Sequence, residues 1–217
     1  MRALSDARCI QLGALTAHRA LASVTGMAQK PLTVRRWTRA EYSRLVDLGV
    51  FNGETLELIG GQLVVAEPQG SSHASSIGVV GAVLSAVLPL GWAVRIQAPI
   101  ALDEESEPEP DVAVVAGAHR DYHAALPTRA ALVVEVAESS LGFDRLQKGG
   151  LYARGGVEDY WIVNLIDRVL EVYRDRTPDR AAPYGWRYRS TKHVVPPADA
   201  ALLALPAVRV AVAHLLP

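Results

Sequence analysis

Two acidic residues interrupt apolar runs in the middle of this 217-residue sequence. Asp111 opens the run VAVV, and Glu135 lies inside LVVEVA. A carboxylate inside a buried strand costs several kcal/mol unless a cation lies against it. Lys148 lies in the segment FDRLQK, which follows the strand of Glu135 in the sequence. Two such carboxylates and a lysine predict a metal-assisted site.

The expected chemistry follows from these residue types. If the strands of Asp111 and Glu135 are neighbours, their carboxylates converge on one divalent cation. Mg²⁺ suits such a pair, with Mn²⁺ as a substitute, because it takes oxygen ligands and often uses one or two protein carboxylates plus substrate phosphate. A metal-activated water then becomes a nucleophile near neutral pH. Lys148 would place positive charge beside the attacked phosphate or the water, and Glu57 would bind a second metal or orient Lys148.

Three further residues, His73, Asp144 and Tyr152, are candidates for accessory roles. Asp144, Lys148 and Tyr152 recur every four residues, so they share one face of a helix. His73 falls in the first turn of a helical segment, where most single histidines are surface residues. Alternation in the strand LELI also leaves open that Glu57 points to solvent.

The elements that must position these residues alternate between helical and strand patterns. Thr38 and Glu41 form a capping box that predicts a helix start, and Gly60-Gly61 predicts a hairpin turn. Strands with helices on their faces make an α/β (α+β) domain with a mixed central sheet. The predicted order is a helix from 38, a hairpin at 55–65, a helix at 77–88, strands at 92–102, 111–115 and 131–137, a helix at 139–154, a hairpin at 160–173 and a closing segment at 202–216.

The composition of the chain limits the classes of protein to which it can belong. Half of the residues are hydrophobic, enough for one domain with a substantial core, and the formal net charge of −1 gives no bulk attraction to nucleic acid or anionic membranes. The single Cys9 excludes an intramolecular disulfide framework and fits a reducing, cytoplasmic compartment. The sequence contains no run of 18 or more apolar residues, so it predicts no membrane-spanning helix. We expect residues 1–36 to be a poorly ordered extension and residues 37–217 to be the domain.

The combination of motifs resembles the PD-(D/E)XK nuclease superfamily, and within it the Uma-type family of restriction-endonuclease-like proteins found in bacteria. The resemblance rests on LELIGGQLV, Ser72-His73 opening a helix, PEPDVAVV, LVVEVAESS, the helix of Lys148, and GVEDYWIVN. It implies a restriction-endonuclease-like core, metal-dependent hydrolysis of DNA phosphodiester bonds, and a homodimer.

Residue by residue, the resemblance assigns Asp111 to the motif aspartate, Glu135 to the second acid and Glu57 to the acid of the first hairpin. All three would then act as metal ligands. The superfamily lysine is expected two residues after Glu135, but that position is Ala137. Lys148 on the following helix occupies its place.

Three hypotheses remain open at this point. The first is an active Mg²⁺-dependent DNA endonuclease. The second is a catalytically silent nuclease fold that acts as a binding or regulatory module in a homodimer. The third, which makes the buried charges an internal ion pair, ranks last because buried pairs stabilise proteins poorly.

Overall fold

The structure, a computed structural model, describes residues 33–65 and 70–217. Residues 1–32, most of the predicted extension, lie outside the described residues, so the domain boundary at residue 37 stays a prediction. The helices are α1 (Arg39–Asp47), α2 (Ser71–Val87) and α3, which joins Leu141–Phe143, Asp144–Lys148 and Gly149–Arg154. The strands are β1 (Leu56–Ile59), β2 (Gln62–Val65), β3 (Trp92–Ile96), β4 (Val112–Ala116), β5 (Leu132–Ala137), β6 (Asp159–Asn164), β7 (Val169–Pro178), β8 (Trp186–Val194), β9 (Asp199–Ala201) and β10 (Arg209–Ala211).

A six-stranded mixed sheet in the order β3-β4-β5-β6-β7-β8 forms the centre of the domain. Its neighbouring strands are antiparallel except for β5 and β6, which are parallel. Parallel neighbours require a crossover connection, and α3 lies in that connection. The predicted α+β class with a mixed central sheet flanked by helices is confirmed.

The sheet is covered on both faces at β5, where all six residues are buried. Leu132, Val134 and Val136 belong to a core cluster that also contains residues of α2 and the C-terminal segment. Val133 and Ala137 point to the opposite face, into a second cluster that includes Tyr152 of α3. Alternating side chains of one strand therefore serve two cores, which confirms the sequence interpretation of this run.

Helix α3 contains a π turn at Asp144–Lys148, which the sequence did not predict. Within it, the backbone N–H of Gly149 donates to the carbonyl of Asp144, five residues earlier. The helix nevertheless continues through Gly149-Gly150 to Arg154, as expected. A Cβ at Gly150 would lie 2.6 Å from the carbonyl oxygen of Pro183, so glycine lets the helix pack closely on the 183–185 turn.

Other local predictions have mixed outcomes. The capping box of Thr38 and Glu41 is present at the start of α1, and the β1–β2 hairpin turns at Gly60-Gly61. The strand predicted over residues 92–102 is wrong beyond Ile96, because Gln97 has a φ of 45° and turns the chain away. The closing segment contains β10 followed by a short 3-10 turn. No helix within 33–65 or 70–217 combines the length and apolarity that crossing a bilayer requires.

Candidate active site

The register between β4 and β5 brings the two predicted acids together. Val112 pairs with Val134 in this antiparallel ladder, so one position further along Asp111 lies opposite Glu135. Directly opposed residues of antiparallel strands project to the same face with Cβ atoms about 5 Å apart. The backbone N–H of Val136 donates to Asp111 Oδ2 at 2.8 Å, and that of Asp111 lies 3.4 Å from Glu135 Oε2.

Helix α3 supplies the polar partners of Glu135. Lys148 Nζ donates to Glu135 Oε1 at 3.1 Å, and the Tyr152 hydroxyl donates to the same oxygen at 2.6 Å. All three side chains are buried. The predicted helix face therefore lies over Glu135 of β5. The π turn at Asp144–Lys148 changes the direction in which the following side chains point.

Glu57 reaches the site from the β1–β2 hairpin. Its Oε1 lies 3.7 Å from Lys148 Nζ, and its Oε2 accepts a hydrogen bond of 2.9 Å from the backbone N–H of Glu109. The side chain is 12% exposed, so the solvent-facing alternative for Glu57 does not hold. Glu57 therefore lies beside the ammonium group of Lys148.

His73 and Asp144 complete the group of predicted residues. His73, in the first turn of α2, places Nε2 3.6 Å from Asp111 Oδ2. Asp144, in the π turn, is buried and accepts a hydrogen bond of 2.6 Å from the Ser140 hydroxyl. All seven site residues predicted from the sequence thus lie in one region, and none falls elsewhere in the fold.

The electrostatics of the site are dominated by excess negative charge. Burial raises the pKa of Glu135 well above its usual range; Lys148 opposes this, while Asp111, Asp144 and Glu57 add to it. Burial also raises the pKa of Asp144, against the opposing effect of Lys148 and Ser140. Burial alone would lower the pKa of Lys148, but the surrounding acids raise it overall, so the ammonium stays charged.

His73 responds to the same field. Its approach to Asp111 is the largest influence and raises the pKa of the imidazole, while partial burial opposes this effect. Four carboxylates, those of Glu57, Asp111, Glu135 and Asp144, therefore lie near Lys148, and His73 lies against one of them. Buried charge that its neighbours do not neutralise is costly, and an added cation would reduce that cost.

The donor set fits a divalent cation of the Mg²⁺ class. Asp111 and Glu135 are opposed hard oxygen donors. Lys148 and Tyr152 both donate to Oε1 of Glu135, and among the described residues Oε2 accepts only the long contact from the Asp111 backbone N–H. Across residues 33–65 and 70–217, no three His, Cys, Asp or Glu side chains form a ready ligand set. A site of two carboxylates agrees with Mg²⁺, which keeps several waters and binds substrate oxygens.

One nearby acid was missed by the sequence analysis. Glu109 lies two residues before Asp111, and its backbone N–H binds Glu57. Burial and the nearby Glu57 and Glu107 raise the pKa of Glu109, while Lys148 lowers it. The signal was present in the motif PEPD, whose first acid is Glu109.

Comparisons with known proteins identify a family and a fold for this chain. The family model described as "Uma2: Putative restriction endonuclease" matches residues 39–212. A solved structure described as a putative nuclease belonging to DUF820, from Anabaena variabilis, aligns with a TM-score of 0.57 at 14% identity. The alignment covers 82% of this chain and 96% of that chain, and it shows a shared fold. No match was found among curated proteins. With most of its length matched by the family model, the chain belongs to the Uma2 family of putative restriction endonucleases.

Proposed function

We propose that this protein is a divalent-metal-dependent endonuclease that hydrolyses DNA phosphodiester bonds. The observation that carries the proposal is the opposition of Asp111 and Glu135 across β4 and β5, with Lys148 Nζ 3.1 Å from Glu135. Family membership supports the nuclease class, and the oxygen donors support Mg²⁺, with Mn²⁺ as a substitute.

The residues of the chain have separate roles in this proposal. Asp111 and Glu135 would hold the cation through their carboxylates. When bound, a divalent cation supplies positive charge at the phosphate and an activated water. Lys148 would place its ammonium beside the phosphate, where charge develops during hydrolysis. Tyr152 holds Glu135 in place through its hydroxyl, and Glu57 orients Lys148 from the other side.

Two other polar residues border the same region. His73 contacts Asp111 at 3.6 Å and would restrict the carboxylate to one orientation. The negative charge of Asp144 raises the pKa of Lys148 and so helps to keep its ammonium group protonated. A homodimer remains a prediction, which sedimentation of the purified protein would measure.

Plasmid nicking tests the proposal directly. We expect the wild type to nick supercoiled DNA with Mg²⁺ or Mn²⁺ and not with EDTA. Asp111→Ala and Glu135→Ala should abolish nicking while circular dichroism shows a folded protein. Asp47→Ala removes an exposed acid at the end of α1 and is the matched control, with full activity expected.

Two results would contradict the proposal. One is full nicking by both site variants, which would place the activity elsewhere or in a contaminant. The other is a wild type that cleaves no DNA with any divalent cation. The second result, combined with retained DNA binding, would instead favour the catalytically silent binding module.

A further inference from the structure

A second buried glutamate lies on the same face of the sheet as Glu135. The registers pair Glu135 with Ile162 of β6, and Ile162 with Glu171 of β7, so the three residues form one row across the sheet. Neighbouring strands lie about 4.8 Å apart, so the two glutamates are roughly 10 Å apart along this row. Glu171 is fully buried and belongs to no part of the proposed site.

Glu171 is fully compensated by its neighbours. Arg145 donates to both of its oxygens, from Nε at 3.0 Å and from a terminal guanidinium nitrogen. Asn164 Nδ2 and the Tyr173 hydroxyl donate at 2.8 and 2.6 Å. A two-pronged Arg–carboxylate pair is both strong and directionally specific. The Glu171 side chain therefore fixes the place of Arg145 over β7.

Arg145 lies inside the π turn, between Asp144 and Lys148. Helix α3 thus supplies one cation to each glutamate of the row, with Arg145 over Glu171 and Lys148 over Glu135. The Tyr160 hydroxyl also donates to the Asp144 carbonyl at 3.0 Å, the same oxygen that accepts from Gly149. The turn is therefore fastened to the sheet at a carbonyl and at a guanidinium.

A π turn needs such support because its hydrogen bonds span five residues and it amounts to one extra residue in an α-helix. Relaxation to regular α-helix would shift the last residue of the turn and the residues after it by one position, which is about 100° around the helix axis. A shift of that size would carry Lys148 away from Glu135. The contacts that hold the π turn in place therefore also keep Lys148 directed at Glu135.

We propose that Arg145 and Glu171 are positioning residues, whose fork holds the π turn of α3 so that Lys148 faces Glu135. The consequence for turnover rests on the function proposed above, whereas the consequence for the helix does not. Neither residue contacts the proposed metal ligands through its side chain. Their effect passes through the backbone of Asp144–Lys148.

A matched pair in the same sheet provides the control. Arg174 makes an equivalent fork to the buried Asp159, at 2.7 and 3.0 Å, and also binds the Ala201 carbonyl. Asp159 further accepts from the backbone N–H of Leu203, so this fork fastens the C-terminal segment. Arg145→Lys and Arg174→Lys each keep the charge and remove a fork. They differ in which segment loses its attachment.

Hydrogen exchange of single amides provides a readout independent of activity. In Arg145→Lys we expect protection of the Gly149 amide, relative to the most protected core amides, to fall at least about tenfold. In Arg174→Lys the Gly149 amide should keep its protection, while the Leu203 amide loses it. Glu171→Gln should reproduce the Arg145→Lys pattern, which guards against an effect specific to the introduced lysine.

Turnover and metal binding provide the second readout. Arg145→Lys should lower kcat for nicking by about 10- to 100-fold, the size expected for a misplaced catalytic group. KM for DNA and the Mn²⁺ affinity measured by calorimetry should stay within about threefold of wild type. Arg174→Lys should leave kcat unchanged at a temperature where both variants are folded.

The outcomes separate the two proposals. Equal loss of kcat in both variants, or unchanged Gly149 protection in Arg145→Lys, would overturn the positioning role. If the wild type cleaves no DNA, the endonuclease proposal fails and hydrogen exchange alone decides. Selective loss of Gly149 protection would then still support the fork as the device that holds the π turn.

Discussion

Glu135 and Glu171 lie in one row of the sheet with Ile162 between them, yet their surroundings have opposite effects on their acidity. Burial raises the pKa of Glu135, and three nearby acids raise it further, against the opposing effect of Lys148. Burial also acts to raise the pKa of Glu171, but hydrogen bonds from Arg145, Tyr173 and Asn164 outweigh it and lower the pKa. The same residue type at the same depth is undercompensated in one place and satisfied in the other.

This difference is the one expected between an acid that binds a cation and an acid that only stabilises the fold. Glu171 has its own guanidinium, whereas Glu135 shares Lys148 with Glu57 at 3.7 Å. An enzyme that binds a cation must leave carboxylates incompletely neutralised in its absence, and such sites reduce the stability of the metal-free protein. Glu135 has this character, and Glu171 provides an internal reference against which to measure it.

The largest expected effect is that of removing the Lys148 side chain. Lys148→Ala should lower turnover in plasmid nicking by about 10²- to 10⁴-fold, the range typical of a lost catalytic side chain. The Mn²⁺ affinity measured by calorimetry should change much less, because Asp111 and Glu135 keep their oxygens. Lys192→Ala, at an exposed position on β8, is the control. Parallel losses of affinity and turnover would mean that Lys148 acts by holding the metal-binding carboxylates in place instead.

The next effect tests the two glutamates directly. Glu171→Gln should lower the free energy of unfolding by about 1.5–3 kcal/mol, because it weakens the charged hydrogen bonds to Arg145, whose guanidinium is partly screened by solvent. Glu135→Gln in the metal-free protein should change it by less than about 1 kcal/mol or increase it, since an undercompensated charge is removed. Urea unfolding in EDTA measures both. Similar destabilisation by the two variants would remove the distinction between them.

A smaller effect concerns how closely α3 lies on its support. Gly150→Ala should destabilise the protein by about 1–3 kcal/mol, because its Cβ would meet the Pro183 carbonyl at 2.6 Å. Gly142→Ala, in the first segment of α3, meets nothing within 4 Å and should stabilise by about 0.4–1 kcal/mol. Thermal unfolding of the two variants compares them. A neutral Gly150→Ala would mean that the helix can move away from the 183–185 turn.

The smallest effect is a pH dependence of opposite sign for the two acids. Because the folded pKa of Glu171 is lowered, its contribution is present above the unfolded value of about 4.3 and is lost as pH falls through the folded pKa. Because the folded pKa of Glu135 is raised, the metal-free protein should lose stability as pH rises through that pKa. Each tenfold difference in acidity constant corresponds to about 1.4 kcal/mol.

Urea unfolding between pH 3 and 8 in EDTA, about the span of these titrations, measures the pH effect. The advantage of wild type over Glu171→Gln should shrink only on the acid side. The difference between wild type and Glu135→Gln should move in favour of wild type as pH falls. Parallel profiles for the two variants would show that both acids are equally compensated.

The sequence predicted the site residues better than it predicted the path of the chain between them. The apolar runs identified β4 and β5, and their antiparallel register then placed Asp111 opposite Glu135. The four-residue spacing placed Lys148 and Tyr152 on one face of α3. The π turn and the end of β3 at Ile96 were missed, because both depend on contacts with distant segments.

The cost of burying an acid can be read locally, because the apolar neighbours in LVVEVA and VLEVY show that Glu135 and Glu171 both lie in covered strands. Only the first was recognised as a candidate, although the signal is the same for both. What offsets that cost is not local. It depends on which cation α3 places over each strand, and the packing of the π turn on the sheet assigns Arg145 to Glu171 and Lys148 to Glu135. The sequence alone determined that two glutamates needed partners, and the tertiary structure decided which one was left short of positive charge.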